Sequence, residues 1–231
     1  MATVLVTGAN RGIGLEFCRQ YAEAGWKVLA CCRRPEKASD LNGLAVHHPS
    51  VSIHQLDLGS FDQIDALAHA LASESIDVLI NNAGIYGDSS RNALGALDYE
   101  HWARVLKINA LAPVKMTEAF LPHLLRSERK LVAAITSLMG SMGDNTSGGS
   151  IMYRSSKAAL NAAMKSLSID LEDRGIGVLI LHPGWVKTDM GGSNAPTSPV
   201  ESVAGLRRVI DGFGSGDSGR FLDFRGRELP W

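Results

Sequence analysis

The chain is poor in cysteine, in histidine pairs, in long apolar runs and in charge of either sign, and each shortage excludes a class of function. Its three cysteines, Cys18, Cys31 and Cys32, lack metal-ligand spacing, and an odd number with two adjacent members makes no disulfide framework. They are expected to be reduced and to pack as small hydrophobes. The seven histidines are scattered. His47-His48 falls in an expected loop, His182 precedes Pro183, and no His-x-x-x-His pair occurs, so they read as structural or solvated and no metal site is expected. No apolar stretch approaches the ~20 residues a membrane span needs, and Met1-Ala2-Thr3 enters an apolar strand without a basic leader. A soluble, cytoplasmic protein is the expectation. Net charge is −1 with 23 basic residues spread along the chain, which leaves no electrostatic footprint for nucleic acid or an anionic membrane.

What remains is a chain of 231 residues, 45% hydrophobic, able to bury a full core and in the size range of one α/β domain, 1–231. Strand-length apolar runs at Thr3 to Thr7, Lys27 to Cys32, Val51 to Leu56, Asp77 to Ile80, Leu131 to Thr136, Gly177 to Leu181 and Gly219 to Leu222 alternate with helical patterns. The helices are expected near residues 12–24, 61–74, 98–124, 152–173 and 200–212, with Pro35 and Ser60 as helix-start signals. Such alternation predicts a parallel sheet with helices on both faces. Gly, Ser, Asn and Pro cluster at residues 86–97, 143–150 and 191–199, which are expected loops. The first and third follow strands four and six, so they leave the carboxyl end of the sheet, where such sheets bind ligands.

Two constellations carry chemistry. The first strand ends in Thr7-Gly8-Ala9-Asn10-Arg11-Gly12-Ile13-Gly14 and runs directly into a helix. Absent side chains at Gly8, Gly12 and Gly14 let backbone approach a pyrophosphate, whose charge meets the helix N-terminal N–H groups. The spacing departs from the commoner G-x-G-x-x-G. The second strand ends Cys31-Cys32-Arg33-Arg34, without the acid that would grip the ribose hydroxyls of NAD. Arg11 and Arg33 can instead face a 2′-phosphate, which predicts NADP(H), although Glu36 lies close by. The second constellation is Tyr153 and Lys157, four residues apart on one helix face, with Ser137 at the end of a strand upstream. A fixed cation favours the ionised phenol, and such a phenol can exchange a proton with an alcohol or carbonyl oxygen.

Taken together, TGANRGIG at residues 7–14, Asn81-Asn82-Ala83-Gly84, Ser137, and Tyr153 through Lys157 closely resemble the classical short-chain dehydrogenase/reductase family over essentially the whole chain. The stretch His182-Pro183-Gly184-Trp185-Val186-Lys187-Thr188-Asp189-Met190-Gly191-Gly192 further resembles sniffer-type carbonyl reductases and the C-factor-like branch. The resemblance implies a doubly wound Rossmann fold with a mostly parallel seven-stranded sheet, and NADPH-dependent reduction of a carbonyl to an alcohol. It implies Tyr153 as general acid/base, Ser137 holding the carbonyl oxygen, and Lys157 lowering the Tyr153 pKa while holding the nicotinamide ribose. Asn109 matches the family's helix Asn, whose backbone holds a water linked to Lys157.

The family's cofactor contacts carry over to Gly8, Asn10, Arg11, Gly12, Ile13, Gly14, Arg33, Asp57, Leu58, Asn81, Ala83, Gly84, Tyr153, Lys157, Pro183, Gly184, Val186 and Thr188. Asp57 and Thr188 are also readable as helix or turn caps, and Asn81 as a brace of the central strand. Leu138, Met139, Met142, Tyr86, Trp185 and Met190 suggest an apolar pocket for a small apolar or aromatic aldehyde or ketone. A homodimer through the helices near 98–124 and 152–173 is implied as well, with Arg154 and Ala158 to Ala163 on the contact face. The alternative is a dinucleotide-binding signalling protein with little turnover.

Overall fold

The computed structural model describes residues 1–89 and 94–231; of the expected loop 86–97, residues 90–93 lie outside the described residues. Seven strands form one sheet: β1 (Thr3–Thr7), β2 (Lys27–Cys32), β3 (Val51–Gln55), β4 (Val78–Asn81), β5 (Leu131–Ile135), β6 (Gly177–His182) and β7 (Phe221–Asp223). Their order is β3-β2-β1-β4-β5-β6-β7, and every pairing is parallel. Helices α1 (Gly12–Glu23), α2 (Ser39–His47), α3 (Phe61–Ala70), α4 (Tyr99–Leu106), α5 (Ala112–Ala119), α6 (Leu121–Leu125), α7 (Ile151–Asp170) and α8 (Pro199–Asp211) connect them.

Alternation along each strand sends successive side chains to opposite layers. Val4 and Val6 of β1 join Phe17 and Tyr21 of α1 and Leu206 of α8 in one core. Leu5, between them, joins Ile64 of α3, Met116 of α5 and Leu160 of α7 in the other. Every residue of β1 and β5 is buried, as expected for parallel strands covered on both faces. The sheet is therefore doubly wound, and the strand order reverses between β1 and β4, which opens a crevice at their carboxyl ends. No helix among the described residues is long and apolar enough to cross a membrane.

Several expected boundaries differ. The expected helix 98–124 is three helices, and between α4 and α5 the chain takes a π-helical turn over Lys107–Leu111. Pro113 explains the break: it has no N–H for the i−4 carbonyl, and its ring would clash with that carbonyl in a regular helix. The expected helices 61–74 and 152–173 stop at Ala70 and Asp170. Pro35 does start a short 3-10 turn, but α2 after it was not expected, and His47, assigned to a loop, is its last residue. Asn42-Gly43 in its middle reads as a turn signal, and Leu41 is its one buried residue, so little periodicity marks it. β7 begins at Phe221, two residues later than expected, because Gly219 bends the chain with φ +78°.

Candidate active site

Thr7 closes the end of β1 onto β4: its hydroxyl accepts the N–H groups of Asn82 (3.0 Å) and Ala83 (3.1 Å). Asn82 answers by donating its amide to the Thr7 carbonyl at 2.8 Å. The glycine-rich turn then needs its glycines for stated reasons. Gly8 and Gly12 have φ of +66° and +55°, and a Cβ on Gly14 would collide with the Gly8 carbonyl oxygen and the Asn82 side chain. The turn delivers the chain into α1, whose N-terminus has no side-chain cap and no acid in its first turn. Its first N–H groups are left for an anion.

A cleft of about 1300 Å³ runs from this turn across the carboxyl ends of the strands. Of the expected cofactor residues, Gly8, Asn10, Arg11, Gly12, Ile13, Gly14, Arg33, Asp57, Leu58, Ala83, Gly84, Pro183, Gly184, Val186 and Thr188 line it, together with Ser137, Tyr153 and Lys157. Asn81 does not; it is buried beneath, with its amide donated to the Pro113 carbonyl at 3.4 Å, the bracing role. Its neighbour Asn82 lines the cleft instead. Asp57 and Thr188 act as turn caps while facing the cleft: the Asp57 carboxylate accepts the Gly59 N–H (2.9 Å) and the Thr188 hydroxyl the Gly191 N–H (3.2 Å). Where β2 ends, Arg33, Arg34 and Lys37 line the wall. The guanidinium of Arg11, expected to face a phosphate, is ion-paired with Asp189 in the segment after β6.

Ser137, Tyr153 and Lys157 converge at the other end of the cleft, and all three are buried. Ser137 ends the β5 run; its hydroxyl oxygen accepts the Met139 N–H at 3.1 Å, which leaves its own proton free to donate. Lys157 lies with its ammonium 5.8 Å from the Tyr153 ring centroid and donates to the Ile135 carbonyl at 2.9 Å. Burial pulls the Lys157 ammonium down to about 8. Burial also pushes the Tyr153 phenol up to about 12, while a hydrogen bond with Ser137 pulls it down and the Tyr86 phenol pushes it up. Loss of hydration is the largest of these influences, and it acts against the lowering expected from Lys157.

Asn109 sits in the π turn, fully buried. Its side chain accepts the Ile85 N–H and donates to the Ile85 carbonyl, both at 2.8 Å, and donates to the Ser156 hydroxyl at 2.9 Å. It thus ties the strand-four loop to α7. Asp88, which sequence reasoning missed, does the same from the solvent side. Helix α7 starts after Ser150, a non-glycine residue at φ +45° whose side chain caps nothing. The Asp88 carboxylate supplies the cap, accepting the N–H groups of Met152 (3.2 Å) and of Tyr153 itself (2.8 Å). Beside it Tyr86 lays its ring 4.9 Å from the Tyr153 ring and shares a 2.6 Å hydrogen bond with Ser150. Leu138, Met139, Trp185 and Met190 complete an apolar end to the cleft. Met142, expected among them, is not in the wall and is 78% exposed.

Residues 2–198 match the family described as short chain dehydrogenase. The C-signal of Myxococcus xanthus is 49% identical over 166 residues, covering 72% of this chain and 99% of that protein. The carbonyl reductase Sniffer of D. melanogaster superposes with a TM-score of 0.93 at 35% identity, covering 100% of both chains. An NADPH-bound carbonyl reductase from chicken fatty liver gives the same TM-score of 0.93 and 35% identity, over 100% of this chain and 99% of that one.

Proposed function

Since the chain belongs to the short chain dehydrogenase family, we propose that it is an NADP-dependent oxidoreductase that reduces a small carbonyl compound to an alcohol. The observation that carries this reading is the convergence of Ser137, Tyr153 and Lys157 on the same cleft as the glycine-rich turn. The residues present fit a dinucleotide phosphate. A Cβ would fill the cradle at Gly14, the α1 N-terminus is uncapped, and Arg33, Arg34 and Lys37 stand where an acid would select NAD. Likeness to an NADPH-bound carbonyl reductase supports the same choice.

A nicotinamide dinucleotide held by the glycine-rich turn, Arg33, Arg34 and Lys37 would supply the hydride chemistry. The chain's own residues supply the rest. Tyr153, held neutral by its burial, donates its proton to the carbonyl oxygen. Ser137, whose oxygen already accepts the Met139 N–H, donates its hydroxyl proton to the same carbonyl oxygen and fixes its position. Lys157 spends one N–H on Ile135 and keeps the others for ribose hydroxyls and for the phenol once it has lost its proton. The Tyr86, Leu138, Met139, Trp185 and Met190 wall favours an apolar or aromatic aldehyde or ketone.

Initial rates with NADPH and with NADH over a panel of aldehydes and ketones test this. Faster turnover with NADPH on small carbonyls is expected; equal use of NADH, or steroids turning over faster than small carbonyls, would contradict it. Identity with the C-signal favours a second reading, a dinucleotide-binding signalling protein with little turnover. Tight NADPH binding without turnover on any carbonyl would select it.

A further inference from the structure

The cleft wall beyond Ser137 is fastened at its far end by a residue remote in sequence. After β7 the chain reverses: the Asp223 carboxylate accepts the N–H groups of Arg225 and Arg227, both at 2.9 Å, and the returning chain donates the Leu229 N–H to the Phe221 carbonyl at 2.9 Å. This hairpin brings Trp231 to the segment that follows Ser137. The Trp231 ring packs 5.6 Å from the ring of Phe221, which is itself fully buried. The Trp231 backbone oxygen accepts the Gly143 N–H at 2.8 Å and the Ser141 hydroxyl at 3.2 Å. Ser141 in turn accepts the Asp144 N–H at 3.0 Å. Glycine suits this approach, because a Cβ at Gly143 would stand 3.1 Å from the Trp231 oxygen.

The same segment is fastened at its start, where the Leu138 N–H is donated to His182 Nδ1 at 3.2 Å and Gly140 lies against the Lys157 backbone. Leu138 and Met139, which line the cleft, lie at the first fastening, and the segment they begin runs on to the second at Ser141 and Gly143. We propose that Trp231 is a positioning residue for the reaction: by seating the 141–144 turn it holds the Leu138–Met139 wall against the carbonyl substrate, and so governs substrate affinity and not the chemical step. The inference rests on the carbonyl reductase reading. It assigns to Trp231 no contact with substrate or cofactor.

The test compares wild type, Trp231→Ala and Trp231→Phe for kcat, for KM of carbonyl and of NADPH, and for amide exchange across residues 138–146. Trp231→Ala is expected to raise the carbonyl KM about fivefold or more, with kcat and the NADPH KM within about twofold. It should speed exchange across 138–146 while the glycine-rich turn keeps its protection, and Trp231→Phe should restore both. An unchanged carbonyl KM in an active Trp231→Ala enzyme would overturn the proposal and leave the reductase reading standing. So would a uniform loss of kcat and stability without a KM change. A wild type that turns over no carbonyl would remove the reductase reading and this proposal with it.

Discussion

Removing the Asp88 carboxylate should loosen the catalytic helix at the residue that does the chemistry. Asp88→Ala deletes both hydrogen bonds that close the α7 N-terminus, to the N–H groups of Met152 and Tyr153. Loss of a capping side chain costs about 0.5–2 kcal/mol, and loss of a negative charge at a helix N-terminus about 0.3–1 kcal/mol. The sum is about 0.8–3 kcal/mol. Unfolding entropy of ~2.1 cal/mol/K per residue gives about 0.5 kcal/mol/K for a chain of 231 residues, so the melting temperature should fall by about 2–6 °C. Circular dichroism melts read this directly, and Asp88→Asn, which keeps one acceptor, should lose about half as much. Because one of the two bonds is to Tyr153 itself, kcat/KM should fall by about tenfold. A melting temperature within about 1 °C of wild type would refute the capping argument.

Three further outcomes follow from the site. In the cofactor-free protein, ultraviolet titration of tyrosinate should show no Tyr153 ionisation below about pH 11, since burial pushes its pKa up to about 12; a transition near pH 8 that Tyr153→Phe abolishes would reverse that conclusion. Asp189→Asn frees the Arg11 guanidinium, and the Kd for NADPH should fall by less than about tenfold, the range open to an exposed ion pair, with that for NADH unmoved; weaker NADPH binding would show that Asp189 helps the site. Burial holds the His182 imidazole down to about 4 while its Nδ1 accepts the Leu138 N–H. Between its ordinary pKa near 6.5 and 4 the unfolded chain takes up a proton that the folded chain refuses, so this stability is full above about pH 6.5 and is lost as pH falls to 4. Melts of His182→Gln should show a flatter pH dependence in that window, and an unchanged slope would assign the acid lability to other groups.

The strands were legible because buried parallel strands are continuous apolar runs, and β1, β2 and the start of β5 fall where those runs do. The glycine-rich turn was legible because its backbone angles leave few residue choices at Gly8 and Gly12. Periodicity does not report a partner far along the chain. Asp88 caps a helix 64 residues later, and Trp231 seats a turn near Gly143, so neither left a local pattern. The break at Lys107–Leu111 was signalled by Pro113, but the apolar pattern continues through it and the π form of the turn leaves no mark in the sequence. The burial acting on Tyr153 was not legible for a different reason: the spacing to Lys157 shows a cation nearby, but only the folded chain shows how completely both groups are withdrawn from water.

The central claim is that Tyr153 supplies the proton for a carbonyl reduction in this cleft, and the most direct measurement is NADPH consumption by wild type and Tyr153→Phe on the same aldehyde, with NADPH affinity measured for both. The account predicts turnover that falls by about 10²-fold or more in Tyr153→Phe while NADPH binds both proteins alike. Equal turnover in the two proteins would contradict it.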